Sequence, residues 1–168
     1  MTAQLSDGIR FNGYTYHLVG GQGGPLATPH FFGMESEMLS TACYHGYHAL
    51  YELVDGTLVL REFTLRETHG RFALIDGIAP VVFNGQGNYR GLHLLIPYTG
   101  TLRLGFGSIR DVDSVRSRVI SYQQVLDVVL ENGAVRTTRD RSAEVAEKRR
   151  RYLADPFATN QTPGDDLN

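Results

Sequence analysis

Tryptophan is absent from this chain, and cysteine occurs once, at Cys43. A single cysteine excludes an internal disulfide and fits a reducing compartment. No apolar run approaches the ~18 residues that mark a membrane helix. The opening residues, Met1-Thr2-Ala3-Gln4-Leu5-Ser6-Asp7-Gly8, carry neither a basic nor an apolar stretch. No secretory signal is expected, and the cytoplasm is the expected location. Excess charge is lacking too: the formal net charge is -2, which gives no bulk attraction to nucleic acid or to an anionic membrane. Gly20-Gly21-Gln22-Gly23-Gly24-Pro25 lacks the Lys-Ser/Thr of a phosphate-binding loop and reads as a flexible loop. Asp111 and Asp113 lack the rest of a calcium loop. No cofactor and no metal are expected.

Plentiful instead are turn dipeptides: Asp7-Gly8, Asn12-Gly13, Asp55-Gly56, Asp76-Gly77, Asn84-Gly85 and Asn132-Gly133. Short runs of Val, Leu, Tyr and Phe lie between several of them. The chain has 168 residues, 42% hydrophobic and 20% charged, the size and balance of one globular domain. Many short strands with such punctuation predict an all-β fold, a mainly antiparallel barrel or barrel-like roll of about seven to nine strands. Strands are expected from Tyr14 to Val19 and through a hairpin over 40–66. Residues 20–39 and 84–91 read as loops, and 107–118 as a charged surface loop. Leu102, Leu104 and Phe106 alternate with Thr101, Arg103 and Gly105, the period of a half-buried strand. The Asn132-Gly133 turn sets Leu130 opposite Val135 and Val128 opposite Thr137. One C-terminal helix is expected over about 142–155, capped by Asp140 or Ser142, with Glu144–Lys148 and Glu147–Arg151 pairs. A single domain over 1–158 and a disordered tail over 159–168 complete the expectation.

The central hairpin carries the candidate site. A two-residue turn at Asp55-Gly56 pairs Leu53 with Leu58, Tyr51 with Leu60, Ala49 with Glu62, Tyr47 with Thr64 and His45 with Arg66. In that register one face is apolar near the turn and polar away from it. His45, Tyr47, Glu62 and Arg66 are therefore the expected ligand-binding residues. Arg66 and Tyr47 would orient an anionic or carbonyl-bearing group, with Glu62 holding the guanidinium. A solvated strand end, with Glu62 and Arg66 paired on the surface, competes with this reading. A bulge near Gly46 would flip part of the register. Cys43, His45 and His48 invite a metal reading, but on a regular strand His48 points away from the other two. Cys43 beside a histidine lacks a following helix or glycine elbow to build an oxyanion hole, so no catalytic residue is assigned. Lys148-Arg149-Arg150-Arg151 shares its helix with Glu144 and Glu147 and reads as a solvated face.

Ser40-Thr41-Ala42-Cys43-Tyr44-His45-Gly46-Tyr47, the Asp55-Gly56 hairpin, Ile96-Pro97-Tyr98-Thr99-Gly100, Gly105-Phe106-Gly107-Ser108 and the Asn132-Gly133 hairpin together carry a resemblance. Over about residues 40–140 the chain resembles a loosely defined set of small bacterial β-rich proteins with a Ser-Thr-Ala-Cys-aromatic-basic-Gly-Tyr strand. Tyr44-His45 stands here in place of Trp-Arg. The resemblance implies a shared fold and transfers no activity and no catalytic residue.

Two functions fit these features. The first is a non-catalytic binding protein that acts through a protein partner, in an immunity-type or accessory role. Its support is small size, tyrosines suited to interfaces and the lack of a catalytic signature. The alternative is a small-molecule-binding barrel, either a carrier or a cyclase or isomerase that mainly positions its substrate. Nucleic acid and membrane are not expected partners.

Overall fold

A computed structural model describes residues 5–109 and 119–155. The expected tail over 159–168 and most of the expected charged loop over 107–118 lie outside the described residues. The described chain is mostly β with a single C-terminal helix, as the composition and turn spacing predict. Ten strands form: β1 (Gly8–Phe11), β2 (Tyr14–Gly23), β3 (Tyr47–Val54), β4 (Thr57–Leu65), β5 (Val81–Phe83), β6 (Gln86–Tyr89), β7 (Leu94–Leu95), β8 (Gly100–Ser108), β9 (Tyr122–Glu131) and β10 (Ala134–Asp140). Helix α1 spans Ser142–Ala154. No helix among the described residues is long and apolar enough to cross a membrane.

The strands join one sheet in the order β10-β9-β8-β2-β1-β3-β4-β6-β5, with β7 on β4. All pairings are antiparallel except β1 with β3. The sheet curls until β10 meets β4 at Ala134 and Thr57. That meeting makes it ring-like. Two hairpin turns interlock there: Leu58 N–H donates to the Gly133 carbonyl, and Val135 N–H to the Gly56 carbonyl, each at 2.7 Å.

Local chemistry accounts for the turns. Five non-glycine residues adopt positive φ: Asn12, Asp55, Asp76, Asn84 and Asn132. Each precedes a glycine that is also at positive φ, the requirement of a type I′ turn. Asn84-Gly85 thus joins β5 to β6, where a loop is expected from sequence. Asp7-Gly8 is the exception, because Gly8 already belongs to β1.

Bulges account for the curl. Arg61 in β4, Val19 in β2 and Arg136 in β10 are each an extra residue against the partner strand. An extra residue bends a strand and increases its twist, which helps a sheet close. Each also shifts the register beyond it. Leu130 faces Val135 as expected, but Val128 faces Thr138 instead of Thr137. β2 runs on through Gly23, so part of the glycine-rich loop is strand.

The ring interior is filled by Ile9, Tyr16, Tyr51, Leu58, Leu60, Phe63, Leu65, Leu102, Leu104, Val128 and Leu130, all buried. A second small core holds Ile120, Val125 and Val145, where α1 lies on β9. The cap of α1 differs from expectation. Arg141 is the N-cap residue, and the Asp140 carboxylate accepts the Ser142 N–H at 2.8 Å. Glu147 pairs with Arg150 and Arg151, while Glu144 pairs with Arg139 and Arg141.

Candidate functional site

β3 begins at Tyr47, later than the run from Ser40 suggests. Gly46 breaks it. Its φ is +81°, and a Cβ there would lie 2.0 Å from the Glu37 carbonyl oxygen, so only glycine fits. Ser40–Cys43 forms a turn instead of strand.

The bulge at Arg61 then rearranges the expected site. Leu53–Leu58 and Tyr51–Leu60 pair as the turn dictates. Beyond Arg61, Glu62 faces Leu50, Thr64 faces His48, and Leu65 faces Tyr47. Phe63 and Leu65 therefore point inward and are fully buried. Glu62, Thr64 and Arg66 take the opposite face. Tyr47 stays inward, stacked on Phe63 with ring centroids 5.7 Å apart. His45 lies before the strand and meets the Tyr47 ring edge-on at 4.6 Å. The register thus brings His45 to Tyr47 and puts Glu62 and Arg66 elsewhere. Among the described residues no ion pair joins Glu62 to Arg66.

Tyr47 borders a cleft of about 390 Å³ with Thr28, His30, Glu35, Ser36 and Thr68. The Glu35 carboxylate lies 3.9 Å from His69, and the Ser36 hydroxyl donates to the His45 carbonyl at 2.6 Å. At the start of β3 the half-buried Asp7 carboxylate accepts the Ala49 N–H at 2.9 Å. Burial pushes the Asp7 carboxyl above its ordinary pKa, opposed by that hydrogen bond and by His48 and His45. Burial lowers His48, with Asp7 opposing. Cys43 is buried and donates its thiol to the Tyr47 carbonyl at 3.2 Å. Burial pushes that thiol up, which favours the un-ionised donor over a thiolate nucleophile. Among the described residues, no three His, Cys, Asp or Glu side chains are grouped to hold a metal ion.

Arg66 belongs to a different surface. Its Nη2 reaches the Asn84 carbonyl at 3.4 Å, at the β5–β6 turn. Its Nε is buried without a hydrogen-bond partner, and no carboxylate among the described residues pairs with it. Next to it the sheet ends. β5 pairs with β6, and no strand among the described residues pairs with its other side. Val81, Val82 and Phe83 are 72%, 53% and 71% exposed, three consecutive apolar residues facing solvent. The hairpin geometry says which backbone groups are free. Residues flanking a two-residue turn exchange both hydrogen bonds, and the pairs then alternate. Phe83–Gln86 and Val81–Asn88 are therefore bonded pairs, and Val82 directs its N–H and C=O to the open edge.

The rows across the sheet tie Arg66 to this edge. Thr64, Asn88 and Val81 are paired in one row and share a face. Phe83 lies two residues beyond Val81, and Arg66 two beyond Thr64, so both take that face. The sequence signal for this surface was Val81-Val82-Phe83 itself, an apolar run without alternation directly after Pro80. Nothing local marked it as the terminal strand. Comparison with known proteins finds no matching family model, no similar curated protein and no similar solved structure.

Proposed function

We propose that this chain is a non-catalytic binding protein that acts through a protein partner, in an immunity-type or accessory role, with β5 as its docking edge. One observation carries the reading: an end strand with three consecutive solvent-facing apolar residues and a Val82 peptide unpaired among the described residues. A solvent-exposed apolar edge strand can pair with another chain, and natural proteins often blunt such edges with charge. No charged residue lies within Val81–Phe83. The test is site-specific photo-crosslinking in cells that naturally make the chain. A photoreactive residue at position 83 is expected to trap one protein, which a probe at the exposed Leu153 of α1 does not trap. The purified protein so identified should then bind the wild-type chain and lose binding to Phe83→Lys. Equal labelling at both positions would refute the docking edge.

The cleft at Tyr47 supports a second reading, a small-molecule site. Its volume of about 390 Å³ and its mix of hydroxyls, imidazole and carboxylate suit a small polar ligand. Ligand-observed NMR with small polar fragments would show binding that Tyr47→Ala abolishes. No saturable binding would remove this reading.

A further inference from the structure

Two features of the β5 edge lie side by side, and neither is fully satisfied by the described residues. One is apolar: Val81 and Phe83, exposed on a single face of the terminal strand. The other is cationic: the Arg66 guanidinium on that same face, held against the Asn84-Gly85 turn where β5 ends. Its Nη2 has only the Asn84 carbonyl at 3.4 Å, and Nη1 lies 3.6 Å from where a Gly85 Cβ would stand. Among the described residues Arg71, Arg90 and Arg149 also lack a carboxylate partner, but several other arginines have one. Arg10 and Arg61 lie near Glu52, Arg103 and Arg141 near Asp127, Arg136 beside Glu131, and Arg150 beside Glu147.

We propose that β5 accepts an extended apolar segment of the partner as an added strand, and that Arg66 selects segments carrying a carboxylate beside the Asn84-Gly85 turn. This rests on the reading of β5 as the docking edge. Backbone hydrogen bonds to Val82 supply the strand register, and alternate apolar side chains cover Val81 and Phe83. A planar guanidinium whose Nη1 makes no hydrogen bond among the described residues matches a carboxylate in a way a point charge does not. The edge is short, because β5 has three residues and Pro80 before it donates no hydrogen bond. A pairing of two such edges would bury far less than the ~1,000 Å² expected of a stable dimer. A second copy of this chain is therefore not the expected occupant.

Fluorescence anisotropy on the full chain tests this with labelled ten-residue peptides. Each has a Val-Thr-Val-Thr-Val centre and ends in Asp or in Asn. The Asp is placed at either terminus in separate peptides, which covers both strand directions. One Asp peptide is expected to bind about tenfold tighter than its Asn counterpart. Arg66→Gln should bind the two equally. Should that variant not fold, about 0.5 M salt on the wild-type chain should collapse the Asp preference and spare the Asn peptide. Asp and Asn peptides binding the wild type equally would overturn the charge selection while leaving β5 as a docking edge. No peptide binding at all would overturn both. Self-association of the wild-type chain in sedimentation, lost in Phe83→Lys, would make the occupant a second copy and overturn the inference.

Discussion

Replacing Asp127 by alanine is expected to cost this fold more than any surface change. Asp127 on β9 sits opposite Arg103 on β8. Its two oxygens accept from Arg103 Nε at 2.7 Å and Nη2 at 2.9 Å. The two side chains are only 4% and 9% exposed. Arg141, at the start of α1, adds a contact at 3.4 Å, so the carboxylate also ties the helix to the sheet. Sequence alternation marks Arg103 only as a polar position, yet it is 3% exposed. Removing one partner of a buried pair strands the other charge, at a cost of about 3–5 kcal/mol. A domain of this size has a total stability of roughly 5–15 kcal/mol. With a urea slope of ~2 kcal/mol/M, the unfolding midpoint should fall by about 2 M. Circular dichroism followed through a urea titration measures it. Glu131→Ala, which breaks the exposed Glu131–Arg136 pair, is the control and should cost no more than ~0.5 kcal/mol. The double change Arg103→Met, Asp127→Leu should recover most of the loss, because no buried charge remains. A midpoint drop below about 0.5 M for Asp127→Ala, no larger than for Glu131→Ala, would refute the argument.

Two further outcomes follow from the central hairpin and its surroundings. Burial raises the Asp7 carboxyl above its ordinary value, so the folded state holds the proton more tightly than the unfolded chain. Stability is then lost as pH rises from about 4 through the raised value, and the cost is complete above it. Asp7→Asn keeps the acceptor for Ala49 N–H and removes that cost, so it should equal or exceed wild-type stability at pH 7. Urea midpoints from pH 4 to 7 would contradict this if the variant became progressively weaker than wild type with rising pH. Deleting Arg61 removes the extra residue but keeps Glu62 opposite Leu50, so Phe63 and Leu65 should stay buried and the variant should lose no more than about 2 kcal/mol. Arg61→Ala keeps the bulge and should stay within about 1 kcal/mol of wild type. A deletion variant whose midpoint fell by more than about 2 M would show that the strand had slipped and turned Phe63 and Leu65 out of the core, against this reading.

The hairpin turns at Asp55-Gly56 and Asn132-Gly133, the all-β class and the C-terminal helix were readable from the chain alone. Each depends on residues within a few positions of one another. Asp55-Gly56 adopts positive φ twice because Asp and Gly tolerate it, and that pins Leu53 to Leu58 whatever the rest of the fold does. The helix likewise follows from its own charge spacing, with Glu147 pairing with Arg151 four residues on, although its cap is not the expected one. What lay beyond reach of the sequence begins at Arg61. A strand has a period of two, so one extra residue exchanges its faces, and no local signal distinguishes Arg61 as that residue. The exchange separated Arg66 from Tyr47 and split the expected site between a cleft and a sheet edge. Arg103 and Asp127 tell the same story from 24 positions apart. Their partnership exists only because β8 and β9 pair in one register. The position of β5 at the end of the sheet is a property of the whole strand order. Local backbone preference determined where this chain turns; non-local pairing decided which side chains meet and which edge stays open.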